Sequence, residues 1–188
     1  INSSALTVEN STTATPVVTI KNTTNDATGA SLRFVMDRGA AGVDADVSGT
    51  ISFYADDSAQ NNQEFAKIVG KAVDASTTSE EGGLDFYVAE NDGTVTKGMS
   101  ITGLSSDSNV DVDISTHDDG TSGLKLGGTL VTSSAAEINL LDGSAKSTSS
   151  ITIGDTDAFI VIDGTTTKQI PASDISTYVG GVSLSGTN

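Results

Sequence analysis

Apolar and polar residues alternate with a period of two over much of this chain, and no amphipathic helix of ordinary length interrupts them. Leu84, Phe86 and Val88 alternate with Asp85 and Tyr87. Asn91-Asp92-Gly93 follows, and Val95, Met99 and Ile101 return on the other side. Asp-Gly between two alternating runs predicts a β-hairpin, because both turn residues tolerate positive φ. Val110, Val112 and Ile114, interleaved with Asp111 and Asp113, predict a half-buried strand with an acidic outward stripe. Upstream, Pro16 to Lys21 and Ser31 to Met36 read as strands, the second with Leu32, Phe34 and Met36 on one face. Turn formers from Asn22 to Gly29 separate them, and Gly39 to Val47 reads as another loop. Gly49 to Tyr54 sets Ile51 and Phe53 on one side, and Glu64 to Val73 sets Phe65 and Val69 on one face. Strands this short and this closely spaced predict a mainly β chain whose residues 1–120 form a β-sandwich or jelly-roll-like module.

The pattern changes near Thr116. THDDGTSG reads as a flexible turn, and Leu124 with Leu126 as a very short strand. Ser134 and Glu137 then have the spacing of a capping box, each side chain in reach of the other residue's amide. A helix of about two turns is expected from Ala135 to Leu141, with Gly143 placed to end it. Ile138, Leu140 and Leu141 wrap around so short a helix, which is marginal in water without an external surface to hold it. Neighbouring copies of the chain would supply that surface. Ser144 to Ser150 is a polar linker, so residues 121–150 read as short strand, capped helix and linker. Residues 151–188 read as a fibre-like segment: a hairpin over Ile151–Ile162 turning near Gly154 to Asp157, then a helix capped by Ser173. That helix follows Pro171, reaches Tyr178 and ends at Gly180-Gly181. The expected assembly contacts are Ile138, Leu140, Leu141, Ile175 and Tyr178.

Composition narrows the function. The 188 residues include 25 acidic and 9 basic side chains, a formal net charge of −16. That sign repels phosphate backbones and the anionic face of a membrane, so neither nucleic acid nor a membrane is expected as a partner. The longest apolar run, Ala158 to Ile162, is far short of the roughly 20 residues a spanning helix needs, and no signal peptide is visible. Aromatic residues make up only 4%, with no Trp, so the core is expected to be thin and built from aliphatic side chains. Subunits that share a core tolerate this best. The chain has no Cys, which removes disulfides, thiolate catalysis and zinc-thiolate sites. Starting at Ile1 and stopping in VSLSGTN, it reads as a fragment of a longer or processed chain.

Candidate chemistry is sparse. Asp44, Asp46 and Ser48 with Gly49 open like a calcium loop, but Ala55 stands where the closing bidentate Glu belongs and Asp56 is one place too far. Asp111, Asp113, Asp118 and Asp119 could hold a cation between chains, although solvated carboxylates are the simpler reading. His117, the single histidine, would have to serve any Ser-His-Asp triad, and no G-x-S-x-G nucleophile elbow accompanies it; Gly181 to Ser185 lacks the final Gly. Paired carboxylates for glycoside hydrolysis are present in number, but the aromatic rings that line sugar grooves are not. Asn2, Asn10 and Asn22 begin glycosylation sequons of the kind expected by chance in a Ser/Thr-rich chain. No cofactor, no metal and no catalytic residue are expected.

Three stretches carry a resemblance. GGTLVTSSAAEINLLDG, residues 127–143, resembles a segment that recurs in tail-fibre and related structural proteins of tailed bacteriophages, particularly marine ones. SITIGDTDAFIVIDGTTTKQIPASDISTYVGG resembles a phage-fibre pattern in which a strand and a turn lead into a short helix. Residues 49–101, with SFYADD, EFAKI and GTVTKGMSI in order, resemble a β-rich module of the same proteins. The resemblance implies a non-enzymatic, extracellular virion component: an elongated homotrimer that contacts other virion proteins and spaces or presents parts that bind a host receptor. Absence of Cys fits assembly in a reducing cytoplasm. The alternative is an extracellular filament, surface-layer or adhesin subunit of a cell, and a carbohydrate-active domain is a more distant third.

Overall fold

The computed structural model describes residues 5–104, 109–139, 152–164 and 166–180. They fall into two compact units, residues 1–134 and 135–188. The chain is mainly β, as its alternation predicts.

The first unit is built on one antiparallel sheet of five strands in sequential order: β1 (Val47–Asp56), β2 (Asn62–Asp74), β3 (Glu81–Ala89), β4 (Val95–Gly103) and β5 (Val110–Asp113). Short connections keep each strand beside its predecessor, so the strands expected to divide between two layers form a single-layer meander. The β3–β4 turn matches the Asn91-Asp92-Gly93 reading. Gly93 takes φ +83°, its amide bonds the Glu90 carbonyl at 3.0 Å, and Thr94 N donates to Asp92 Oδ1 at 2.9 Å.

Of four register shifts in the sheet, two fall well inside the strands and reset the alternation. Phe53 pairs with Ala66 but Tyr54 pairs with Glu64, so Phe65 is an extra residue in β2. Phe86 pairs with Met99 but Tyr87 pairs with Lys97, so Gly98 is extra in β4. An extra residue reverses the face of everything beyond it. Ile68, rather than Phe65 and Val69, therefore shares a face with Ile51, and Val95 lies opposite Met99 and Ile101.

Residues 5–46 form an extended arm. Pro16–Lys21 and Ser31–Met36, expected as strands, pair with nothing in the sheet. Short Asn and Asp turns shape the arm instead, as where Asn22 Oδ1 accepts from Thr24 N at 2.8 Å and Asp26 Oδ1 from Thr28 N at 2.8 Å. At its end the arm joins the sheet through the backbone, Ala45 N donating to Ala72 O at 2.9 Å and Ala72 N to Asp46 O at 2.8 Å, and farther back one side chain reaches it. A Cβ built on Gly49 would lie 2.5 Å from the Cβ of Phe34, so Phe34 sits directly on the glycine backbone. Beyond β5, β6 (Lys125–Leu126) and β7 (Thr129–Leu130) make a small hairpin.

The second unit holds α1 (Ala135–Asn139), the hairpin of β8 (Ala158–Asp163) and β9 (Thr166–Pro171), and α2 (Ala172–Gly180). The hairpin lies later than expected. Gly154 to Asp157 forms a turn, closed by Asp157 N to Gly154 O at 3.0 Å, but that turn precedes β8. β8 pairs with Thr166–Pro171, and the reversal is at Asp163-Gly164, where Gly164 takes φ +62°. α2 begins at Ala172, so Ser173 lies inside its first turn rather than at the cap. The Ala172 amide is satisfied by the Asp157 carbonyl at 2.7 Å.

Candidate functional site

The two faces of the five-stranded sheet are chemically opposite. Ile51 and Phe53 of β1, Ile68 of β2, Leu84, Phe86 and Val88 of β3, Met99 and Ile101 of β4, and Val112 of β5 share one face by register. No charged residue joins them. These side chains stay partly open: Leu84 is 38% exposed, Phe53 51%, Val88 60% and Val112 64%. Among the described residues, Ala172 is the only apolar one that is buried. A depression of about 200 Å³ lies on this face between Phe34, Ile51, Ile68, Gly70 and Leu84.

The opposite face carries a lysine and carboxylate network. Asp85, 1% exposed, is flanked along its row by Val69 and Ser100. Lys71 Nζ donates to Asp85 Oδ2 at 2.6 Å, Tyr87 OH to the same oxygen at 3.3 Å, and Lys97 Nζ lies 3.7 Å from Oδ1. Lys67 pairs with Glu64 at 3.2 Å and lies over the Tyr87 ring, 5.2 Å from its centre. Burial pushes the Asp85 carboxyl up, but the Lys71 hydrogen bond and the charges of Lys71 and Lys97 outweigh it, so the group is held below the ordinary carboxylate value. A carboxyl so placed stays ionised near neutral pH and is a poor proton donor there. It is a structural ion pair. Sequence reading did not single it out, because a lone Asp in an alternating strand looks like a solvated position until its lysine neighbours on two other strands are known.

The calcium-loop residues have other work. Asp44 Oδ1 accepts from the Ala75 amide at 2.9 Å, and Asp46 takes Arg38 Nη1 at 2.7 Å and the Val43 amide at 2.9 Å. Those bonds keep the Asp46 carboxyl below its usual range, the Arg38 hydrogen bond foremost. The two carboxylates thus tie the arm to β1 and the end of β2. An open groove of about 440 Å³ runs beside them, with Met36, Arg38, Asp46 and Ala72 among its lining residues.

His117 and Asp118 are likewise committed to their own loop. His117 Nδ1 accepts from the Leu124 amide at 3.3 Å, and Nε2 lies 3.2 Å from Asp119. Asp118 Oδ1 gathers the amides of Gly120, Thr121 and Ser122 at 2.7–3.0 Å, which hold its carboxyl far below the usual range. Asp111 and Asp113 sit on the polar face beside Thr102 and Ser100. Asp113 accepts the Ser115 hydroxyl at 2.8 Å. No cluster of three or more metal-ligating side chains forms among the described residues.

Of the expected assembly residues, Ile138 on α1 is 48% exposed, and Ile175 and Tyr178 on α2 are 36% and 75% exposed. Leu140 and Leu141 lie outside the described residues. No helix among the described residues is long and apolar enough to cross a membrane. No family model, curated protein or solved structure matches this chain.

Proposed function

We propose that this chain is a non-enzymatic structural segment of a phage tail fibre or another virion appendage, working as an elongated β-rich homotrimer that spaces or presents receptor-binding parts. The resemblance of residues 49–101 and 127–181 to phage-fibre segments supplies the identity of the reading. The observation that carries its assembly side is the uncovered apolar face of the five-stranded sheet. A sheet normally buries one face against a second layer, and the described part of the first unit provides none. Burying an apolar side chain contributes roughly 1.5–3 kcal/mol, so covering even half of that face favours association strongly. In this reading the partners are copies of the chain itself, other virion proteins and a host surface receptor, and the location is the virion outside the cell.

The test is the mass of the native particle by light scattering across a range of dilutions. Three copies are expected. An open-ended filament would instead favour a subunit of an extracellular filament or surface layer. A particle that stays monomeric at every concentration sinks the assembly reading.

A further inference from the structure

The arm and the sheet differ in charge as sharply as the two faces do. Residues 1–38 hold three acidic side chains (Glu9, Asp26, Asp37) and three basic ones (Lys21, Arg33, Arg38), so the whole excess of −16 lies beyond them. Two bodies of this chain therefore repel each other, whereas the neutral stretch up to Arg38 of one copy's arm approaches another body without that cost. The arm is also apolar where it is free: Val18 is 73% exposed and Ile20 51%. They have the i, i+2 spacing of Leu32, Phe34 and Met36, the run from which Phe34 already seats on Gly49.

We infer that the apolar sheet face is covered by the N-terminal arm of a second copy of this chain, with the run around Val18 and Ile20 laid across it. This rests on the assembly reading above and names its contact surface. Phe34 shows how an arm side chain sits on this face, against the flat Gly49 position, and the 200 Å³ depression beside it has room for another aliphatic group. The dimensions agree. Five strands about 4.8 Å apart span about 19 Å, the length of about six extended residues. The chain's own run is not the occupant, since Val18 and Ile20 remain exposed and so do Val88 and Val112 of the face. An uncharged face and the uncharged run from Asn10 to Ile20 meet without stranding a charge in the contact. The result is a second layer borrowed from a neighbour.

The chain has no cysteine, so thiol cross-linking reports only on thiols that are introduced. One full-length population carries Val18→Cys and an affinity tag; a second, untagged, carries Val88→Cys on the apolar face or Thr50→Cys on the polar face. The two are mixed, assembled and treated with a short bismaleimide, and native mass is measured alongside. The expected result is a tagged–untagged dimer with Val88→Cys that is lost with Thr50→Cys. Oligomers of native mass with no Val18–Val88 product, or with equal products on both faces, overturn the arm exchange and leave the assembly reading standing. A Val18→Cys, Val88→Cys double variant that cross-links only within one chain also overturns it. Monomers throughout overturn both.

Discussion

Asp85 is buried although its place in the alternation is on the polar face, and the cost of burying it is met locally. One oxygen is hydrogen-bonded by Lys71 and Tyr87; the other, buried and without a hydrogen bond, faces the Lys97 ammonium at 3.7 Å. Both lysines keep partial contact with water, which lowers the desolvation penalty of the pair. Because the folded-state pKa is depressed, the stability it contributes is present above the unfolded value of about 3.9 and is lost as pH falls through the folded value. Asp85→Asn should therefore cost about 1–3 kcal/mol near neutral pH, since it leaves two ammonium groups without their counter-charge. Urea denaturation at a series of pH values checks this. The gap between wild type and variant should narrow below about pH 4, and a gap constant with pH would mean that the ion pair is not its source.

At the scale of elements, the alternating runs and the Asp-Gly turn make β1 to β5 readable from sequence, because period-2 patterning and a positive-φ turn are local signals. The misreadings share one cause. Bulges at Phe65 and Gly98 depend on which strand lies next to which, and no local window contains that. Pro16–Lys21 and Ser31–Met36 look like strands because they are extended, yet extension without a pairing partner leaves an arm. The β8–β9 hairpin, which turns past Asp163 at Gly164, is hard to read from sequence because Thr166–Pro171 does not alternate apolar with polar. The polar cluster around Asp85 was illegible for the reason the bulges were. Gly49 permits a test of the anchor that Phe34 gives the arm. Gly49→Ala puts a methyl where Phe34 now lies, so the ring must lift away; the expected cost is about 1–2 kcal/mol, and trypsin should cut after Arg33 and Arg38 faster than in wild type. Unchanged digestion would show that Phe34 does not hold the arm.

For the first unit as a whole, the odd number of strands has a mechanical consequence. The chain enters β1 at Val47 heading one way along the sheet and leaves β5 at Asp113 heading the same way, so tension applied through the unit pulls the two outer strands lengthwise in opposite directions. Ladder hydrogen bonds loaded in this manner share the force across a row rather than opening one at a time. The rows are unequal, however. β1 has 10 residues and lies against the 13 of β2, whereas β5 has 4. Pulled between single cysteines introduced at Ala40 and Thr129, the unit should yield first by sliding β5 off β4, with β1 to β4 giving way only at higher force. A single rupture releasing the whole sheet at once would contradict this. In a spacer under load, β5 would act as a fuse that extends before the rest of the sheet is lost.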